Sequence, residues 1–158
     1  MTGYYEMMMI RKATKQDISR IAEILVFVKR VKYRSIFHDD EYSFGELQVL
    51  NIAKQYDNAD ILNNMWVYDD GIVKGLIHVD GNEVKELYVD SFFWGDGIGS
   101  ALLKFAVEEF DAGRLWVLEK NIDAIKFYKA HGFVESGARE ITEGTTEYEV
   151  ELIRKKLR

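Results

Sequence analysis

The run in the sequence with the clearest chemistry is Leu87-Tyr88-Val89-Asp90-Ser91-Phe92-Phe93-Trp94-Gly95-Asp96-Gly97-Ile98-Gly99-Ser100, which passes from a strand-like segment through three glycines into an apolar stretch at helical spacing. Glycine has no Cβ, so successive backbone N–H groups can converge on an anion. The start of the following helix adds unsatisfied donors carrying roughly half a positive charge. Such a turn captures a phosphate or pyrophosphate. A Walker A loop needs Gly-Lys-Ser/Thr after its glycines, and Gly99-Ser100-Ala101 has no lysine. The dinucleotide pattern G-x-G-x-x-G requires a third glycine where Ser100 stands, and it follows a first parallel strand rather than an antiparallel meander. A tight strand-to-helix connection with no ligand accounts for the same glycines.

A second cluster narrows the choice. Leu115-Trp116-Val117-Leu118 leads into Asn121, Ala124, Phe127, Tyr128, Gly132 and Phe133. The two clusters together resemble the GCN5-related N-acetyltransferase (GNAT) superfamily. Its pattern is a strand, Q/R-x-x-G-x-G/A at a helix start, then a strand followed by N-x-x-A-x-x-x-Y-x-x-x-G-F. The second half is matched at every position, and Ile10-Arg11-Lys12-Ala13-Thr14 with Asp17-Ile18 resembles the family's opening. One departure is plain: Trp94 occupies the place of the family's Gln or Arg, and Asp96 adds a negative charge to the turn. Lys104, Lys126 and Lys129 could supply compensating charge, although each reads first as a solvated helix residue.

The resemblance implies acetyl-CoA as cosubstrate and no metal. The pyrophosphate cradle would be Trp94, Gly95, Asp96, Gly97, Ile98, Gly99 and Ser100, with backbone groups of Leu87 and Val89 pairing with the pantetheine arm. A backbone N–H there would polarise the thioester carbonyl, unless both residues are engaged in ordinary ladder pairing. Tyr128 matches the tyrosine that protonates the departing thiolate; a core-packing role is the alternative. Asn121 reads both as an N-cap and as a donor to the cofactor arm. Phe127 packs in the core or lines the cofactor channel. Glu83, six residues before Val89 and of the same strand parity as Leu87, is the candidate base, with Glu86 its competitor on the opposite face and His78 a third option. His131 reads as a dipole or surface residue. An alkylamine with a pKa of about 10.4 is mostly protonated at neutral pH, so a base or water chain is useful.

The elements that must position these groups follow from periodicity. Met8–Ile10 is a first strand, and Asp17 is an N-cap-type residue before Ile18, Ile21, Ile24, Leu25 and Val28 at helical spacing. Ser43 and Glu46 form a capping box for a second helix through Leu47, Leu50, Ile52 and Ala53. Met65–Tyr68, Ile72–Val79 and Glu83–Val89 form a meander turning at Asp70-Gly71 and Asp80-Gly81-Asn82. A helix over Ile98–Phe110, a strand at Leu115–Leu118, a helix over Ile122–His131 closed by Gly132, and strands at Phe133–Ser136 and Tyr148–Ile153 complete the order. The expected fold is α/β: a single GNAT-like domain over 1–158, with residues 1–8 set aside as a poorly ordered extension. Its mixed, mostly antiparallel sheet is flanked by helices, with strands 4 and 5 splayed.

Composition sets the outer bounds. A length of 158 residues suits one domain, and 47% apolar with 30% charged residues is ordinary globular usage. With no cysteine there is neither a disulfide framework nor a thiolate to carry an acyl group, which fits direct attack in a ternary complex and a cytoplasmic setting. No apolar run of about 18 residues could span a membrane. The formal charge of −6 disfavours a nucleic-acid partner and permits a cationic one. In the resembled family, acceptor selection falls to the segments matching Tyr33–Tyr42, with Asp39, Asp40 and Glu41, and Glu143 to Glu147. The expected acceptor is a small-molecule or peptide amine of cationic character, and homodimers are common in the family. The alternative is a CoA-binding sensor or assembly module that keeps the fold without turnover.

Overall fold

The computed structural model describes residues 7–155, so the expectation for residues 1–8 falls mostly outside the described part. Seven strands, β1 (Ile10–Lys12), β2 (Met65–Asp69), β3 (Val73–Asp80), β4 (Glu83–Val89), β5 (Arg114–Leu118), β6 (Phe133–Ile141) and β7 (Tyr148–Arg154), form one sheet ordered β1-β2-β3-β4-β5-β7-β6. The helices are α1 (Ile18–Phe37), α2 (Val49–Tyr56), α3 (Ala59–Leu62), α4 (Ile98–Phe110) and α5 (Ile122–Ala130). Every strand pair is antiparallel except β4 with β5.

Strand alternation builds a core on each face of the sheet. Leu76 of β3 joins Ile21, Leu25, Met65 and Val67 beneath α1, while its neighbour Ile77 joins Leu102, Leu115, Phe133 and Leu152 beneath α4 and α5. Gly75 lets α4 come close. A Cβ there would lie 3.1 Å from Ile98 Cγ2, 3.1 Å from the Tyr88 carbonyl oxygen and 3.2 Å from Leu102 Cδ1.

Two irregularities bear on the site. β4 and β5 pair only at Glu83–Arg114 and Val84–Leu115, after which β5 follows β7 through all five of its residues and leaves β4 behind. In addition, β3 and β4 pair His78 with Glu86 and then Val79 with Val84, so Lys85 is an extra, bulged residue. The bulge inverts side-chain parity. Val84 and Leu87 both face the α4–α5 core, whereas Glu86 and Tyr88 face α1 and α2.

Several sequence expectations shift. The first strand is Ile10–Lys12, two residues later than expected, because Ala13 N–H bonds Met65 C=O at 2.9 Å and registers the strand against β2. Asp17 precedes α1 but does not cap it. Its carboxylate instead accepts from Arg11 Nη1 and Nη2, both at 2.8 Å, and from Thr14 N–H at 2.8 Å, joining β1 to α1. Ser43 does not open α2 either. Residues Tyr42–Glu46 form one wide helical turn, whose Ser43 and Leu47 carbonyls are both held by the Arg30 guanidinium at 3.0 Å, and α2 begins at Val49. α1 runs on to Phe37, so Tyr33 lies on a helix, and β6 continues to Ile141.

The Arg11–Asp17 clamp generates one prediction. Arg11 holds the Asp17 carboxyl below its ordinary value of 3.8. A depressed folded-state pKa contributes stability that is present above the unfolded value and lost as pH falls through the folded one. Asp17→Asn is expected to cost about 2 kcal/mol at neutral pH, discounted because Arg11 is partly exposed. In urea unfolding, its deficit should narrow as pH falls from about 5 to below about 3. Gly75→Ala is expected to lower the urea midpoint by the equivalent of about 1–3 kcal/mol at unchanged slope, since the Tyr88 carbonyl cannot yield as a side chain can.

Candidate active site

The divergence of β4 from β5 leaves backbone groups aimed into an open gap. Asp90 N–H bonds Lys74 C=O at 2.9 Å, and Leu76 pairs with Tyr88, so Glu86, Tyr88 and Asp90 direct their backbone groups toward β3. By alternation Leu87 and Val89 direct theirs away from β3, to the side that β5 has vacated. Ladder pairing of these two residues, the alternative to a ligand-facing role, is absent on that edge.

The turn that follows is built from α1 as well as from its own sequence. Arg20 of α1 donates to Asp90 Oδ2 at 2.7 Å and to Val73 C=O at 3.0 Å, while Asp90 Oδ1 accepts Phe92 N–H at 2.9 Å. Gly95 (φ +88°) and Gly97 (φ +79°) take the left-handed conformation, and Gly97 stands at the N-cap of α4. The first α4 bond runs from Ala101 N–H to Gly97 C=O at 3.0 Å, so the N–H groups of Ile98, Gly99 and Ser100 precede any intrahelical acceptor. Gly99 faces the Phe127 ring, with 3.5 Å left for an added Cβ. This is a cradle of bare donors at a helix start, matching a diphosphate in charge and in hydrogen-bonding type.

A cavity of about 480 Å³ runs from this cradle along β4 to α5, lined by Leu87, Val89, Trp94, Gly95, Gly97, Ile98, Gly99, Ser100, Phe127 and Tyr128. Asp96 is exposed and does not line it. A narrower space of about 210 Å³ continues between β4 and β5 past Glu86, Asn121 and Glu149. Beyond Tyr33, Leu118 and Glu149 lies a third cavity of about 640 Å³, whose charged lining among the described residues is Asp39, Glu46, Glu143, Glu147 and Glu149. Its aromatic wall is Tyr33, Phe37 and Tyr42.

Tyr128 is buried at the junction of the first two spaces, against Phe127 and Phe133. Burial raises its hydroxyl above the usual 10.0, so it stays protonated and able to donate. Asn121 Oδ1 accepts Ala124 N–H at 3.3 Å, confirming the cap, and the residue also lines the gap. His131 Nδ1 donates to Phe127 C=O at 2.7 Å, and Ser100 Oγ lies 2.9 Å from Nε2. This residue therefore braces the turn from behind.

Glu83 is not brought to the cleft. It sits at the closed end of the β4–β5 pair, 2.5 Å from Lys85 Nζ and 3.6 Å from Arg114 Nη2, and the bulge at Lys85 removes the face it was expected to share with Leu87. Glu86 is the carboxylate that lines the gap. Its Oε1 accepts from Tyr56 Oη at 2.5 Å and lies 3.4 Å from His78 Nδ1. Burial pushes its pKa up, but the bonds from His78 and Tyr56 and the charge of Lys29 outweigh this, leaving it below the usual 4.5. Beside it, Tyr33 and Tyr88 hydroxyls meet at 3.2 Å, and burial foremost raises both.

Other expectations divide. Asp39, Glu143 and Glu147 reach the acidic cavity, whereas Asp40 is taken by Arg34 at 2.7 Å and Glu41 stays outside. Lys104 and Lys129 line a groove on the far side of α4, and Lys129 lies 3.7 Å from Glu135. Lys32 of α1, instead, lines the cavity at the glycine turn. Nothing in the sequence singled it out, since its position depends on α1 continuing past Val28. Glu46, read from the sequence as a capping residue, and Glu149, which carried no reading, also line the acidic cavity, and only that place distinguishes them from surface carboxylates.

Comparison with known proteins agrees with this geometry. The family model for the acetyltransferase (GNAT) domain matches residues 62–135, which contain the meander, the turn, α4, β5 and α5. An uncharacterized N-acetyltransferase of Methanocaldococcus jannaschii is 43% identical over 67 residues, covering 39% of this chain and 28% of the relative. The aligned part thus spans less than a third of that protein. Among solved structures, apo YjaB of Escherichia coli superposes with a TM-score of 0.73 at 21% identity, covering 91% of this chain and 95% of its own. The PaiA N-acetyltransferase of Thermoplasma acidophilum, in complex with coenzyme A, gives a TM-score of 0.63 at 22% identity over 90% of this chain and 96% of its own. The family model covers the gap, the turn and the helix of Tyr128, and the solved structures share the fold on either side, so this part of the chain is similar to the acetyltransferase (GNAT) domain.

Proposed function

We propose that this protein transfers the acetyl group of acetyl-CoA to the amino group of a cationic small molecule or peptide, by direct attack in a ternary complex. The observation that carries this reading is the free edge of β4. Leu87 and Val89 face the gap between an anion-binding turn at one end and a cavity of carboxylates at the other. The cosubstrate supplies an activated thioester; the chain supplies position, charge and proton traffic.

The bare N–H groups of Ile98, Gly99 and Ser100 hold the diphosphate. Leu87 and Val89 extend the sheet to the pantetheine arm, and a backbone N–H in the gap polarises the thioester oxygen, an effect that reaches about 3–4 kcal/mol for one donor. The acceptor enters from the acidic side, where carboxylates and aromatic faces suit an alkylammonium. To react it must lose a proton. Glu86, ionised and lining the gap, takes the role expected of Glu83, directly or through water. As the C–N bond forms and the C–S bond breaks, the thiolate takes the Tyr128 proton, and the proton shed by the acetylated nitrogen restores the Tyr128 hydroxyl. Asp39, Glu143, Glu147 and Glu149 select for positive charge in the acceptor. The second reading, a CoA-binding module without turnover, draws on Trp94, whose indole occupies the Val89 carbonyl at 2.7 Å.

A thiol-release assay over polyamines, aminoglycosides, amino acids and peptide N-termini separates these readings. Turnover of a cationic amine supports the enzyme; CoA binding without turnover of any amine supports the module. Tyr128→Phe is expected to lower kcat by about a hundredfold with little change in the KM for acetyl-CoA. Unchanged kcat would remove Tyr128 as the acid. Because burial holds the Tyr128 proton above the ordinary tyrosine range, wild-type kcat should not decline between about pH 8 and pH 10, and a decline there that Tyr128→Phe abolishes would show a hydroxyl of ordinary acidity.

A further inference from the structure

The turn is short of positive charge. The position where the GNAT pattern places Gln or Arg is Trp94, and Asp96 follows two residues on. Among the described residues lining the cavity at the turn, Lys32 is the one cation. It reaches in from α1, across the cleft, and it is already engaged: Nζ lies 4.7 Å from the Trp94 ring centroid and 3.9 Å from Asp123 Oδ2. Trp94 in turn is fastened by Nε1–H to the Val89 carbonyl at 2.7 Å, an acceptor that faces the gap. An indole N–H therefore sits where an amide lying along β4 would donate. Gly95, with its left-handed backbone, follows Trp94 directly and gives the side chain a pivot.

We propose that Lys32 is the diphosphate-binding cation of this protein and that Trp94 holds it in reserve. On cofactor binding the indole yields the Val89 carbonyl to the pantetheine amide, and Lys32 passes from the indole face and Asp123 to the diphosphate. The Val89 carbonyl exchanges one N–H donor for another, and the two contacts that Lys32 gives up are weaker than the one it gains. An ammonium on an exposed ring and a 3.9 Å pair with a largely exposed carboxylate are modest interactions, whereas a charge-assisted bond to a diphosphate is strong. The exchange explains how a turn without arginine, carrying an aspartate, retains an anion site. It also makes Lys32 and Trp94 cofactor-binding residues contributed by two separate elements.

The inference rests on the acetyl-CoA reading above, and calorimetry with two ligands separates their failures. CoA carries the diphosphate; S-acetylpantetheine does not. Lys32→Met, which keeps the apolar stem, is expected to weaken CoA by about tenfold or more and to flatten its salt dependence, leaving S-acetylpantetheine within about twofold. Lys32→Arg should restore CoA binding. Trp94→Phe, which keeps a ring but loses the N–H, should tighten both ligands. Equal affinity of wild type and Lys32→Met for CoA, or equal weakening of both ligands, would overturn the assignment of Lys32. Weakening of both ligands by Trp94→Phe would overturn the exchange. Wild-type protein that binds neither ligand would instead overturn the acetyl-CoA reading itself.

Discussion

Everything specific to this molecule depends on β5 pairing with β7 rather than continuing along β4. A parallel pair that stops after two residues leaves a strand edge with unsatisfied N–H and C=O groups in the middle of a sheet, which a folded protein normally covers or pairs. Here the edge is neither at the rim nor paired by another strand, and the gap is walled by α1, α5 and the turn. A ligand with amides at extended spacing is the partner such an edge admits. The fold thus stores its binding capacity as a missing piece of secondary structure.

The gap is polarised along its length. At one end are helix-start donors with Lys32 across from them; at the other, carboxylates of the wide turn after α1 and of the β6–β7 hairpin. The carboxylates are only partly compensated. Glu147 meets Lys120 at 3.0 Å, but burial and the neighbouring Glu140 raise Glu149 above its ordinary value. The field along the gap therefore runs from donors at one end to carboxylates at the other, within a chain of net charge −6.

The α1 helix is the wall that closes the gap, and three arginines attach it. Arg20 ties it to Asp90 at the base of the turn, Arg30 to the wide turn that carries Tyr42, and Arg11 ties β1 to the residue preceding its first turn. These are charge-assisted bonds with several donors per residue, which fix orientation as well as distance. Lys32 and Tyr33 face the gap because this frame holds α1 in register. The glycine turn, the acidic cavity and the buried tyrosines beside the gap are therefore coupled through one helix.

The sequence by itself determined what depends on neighbours along the chain. Helical spacing placed α4 and α5, turn residues placed the meander, the glycines marked the cradle, and the spacing of Asn121, Ala124 and Tyr128 put cap and buried hydroxyl on one short helix. The direction of the Leu87 and Val89 backbone did not follow from alternation, which leaves two sides to choose between; the bond from Asp90 N–H to Lys74 C=O and the Leu76–Tyr88 pair decide it. Tertiary structure decided what depends on a residue far away. The bulge at Lys85 exists only against β3 and puts Glu83 on the face opposite Leu87, the face of Glu86; the pairing with Arg114 then holds Glu83 at the closed end while Glu86 lies beside the gap. The turn at Tyr42–Glu46 is set by Arg30, thirteen residues before Ser43, rather than by the capping signal at Ser43 and Glu46. Lys32 carried no local signal at all, because its meaning comes from Trp94 and Asp123, which packing alone brings to it. Periodicity is a property of one segment, whereas parity across a bulge, the length of a helix and the partner of a charge are properties of two.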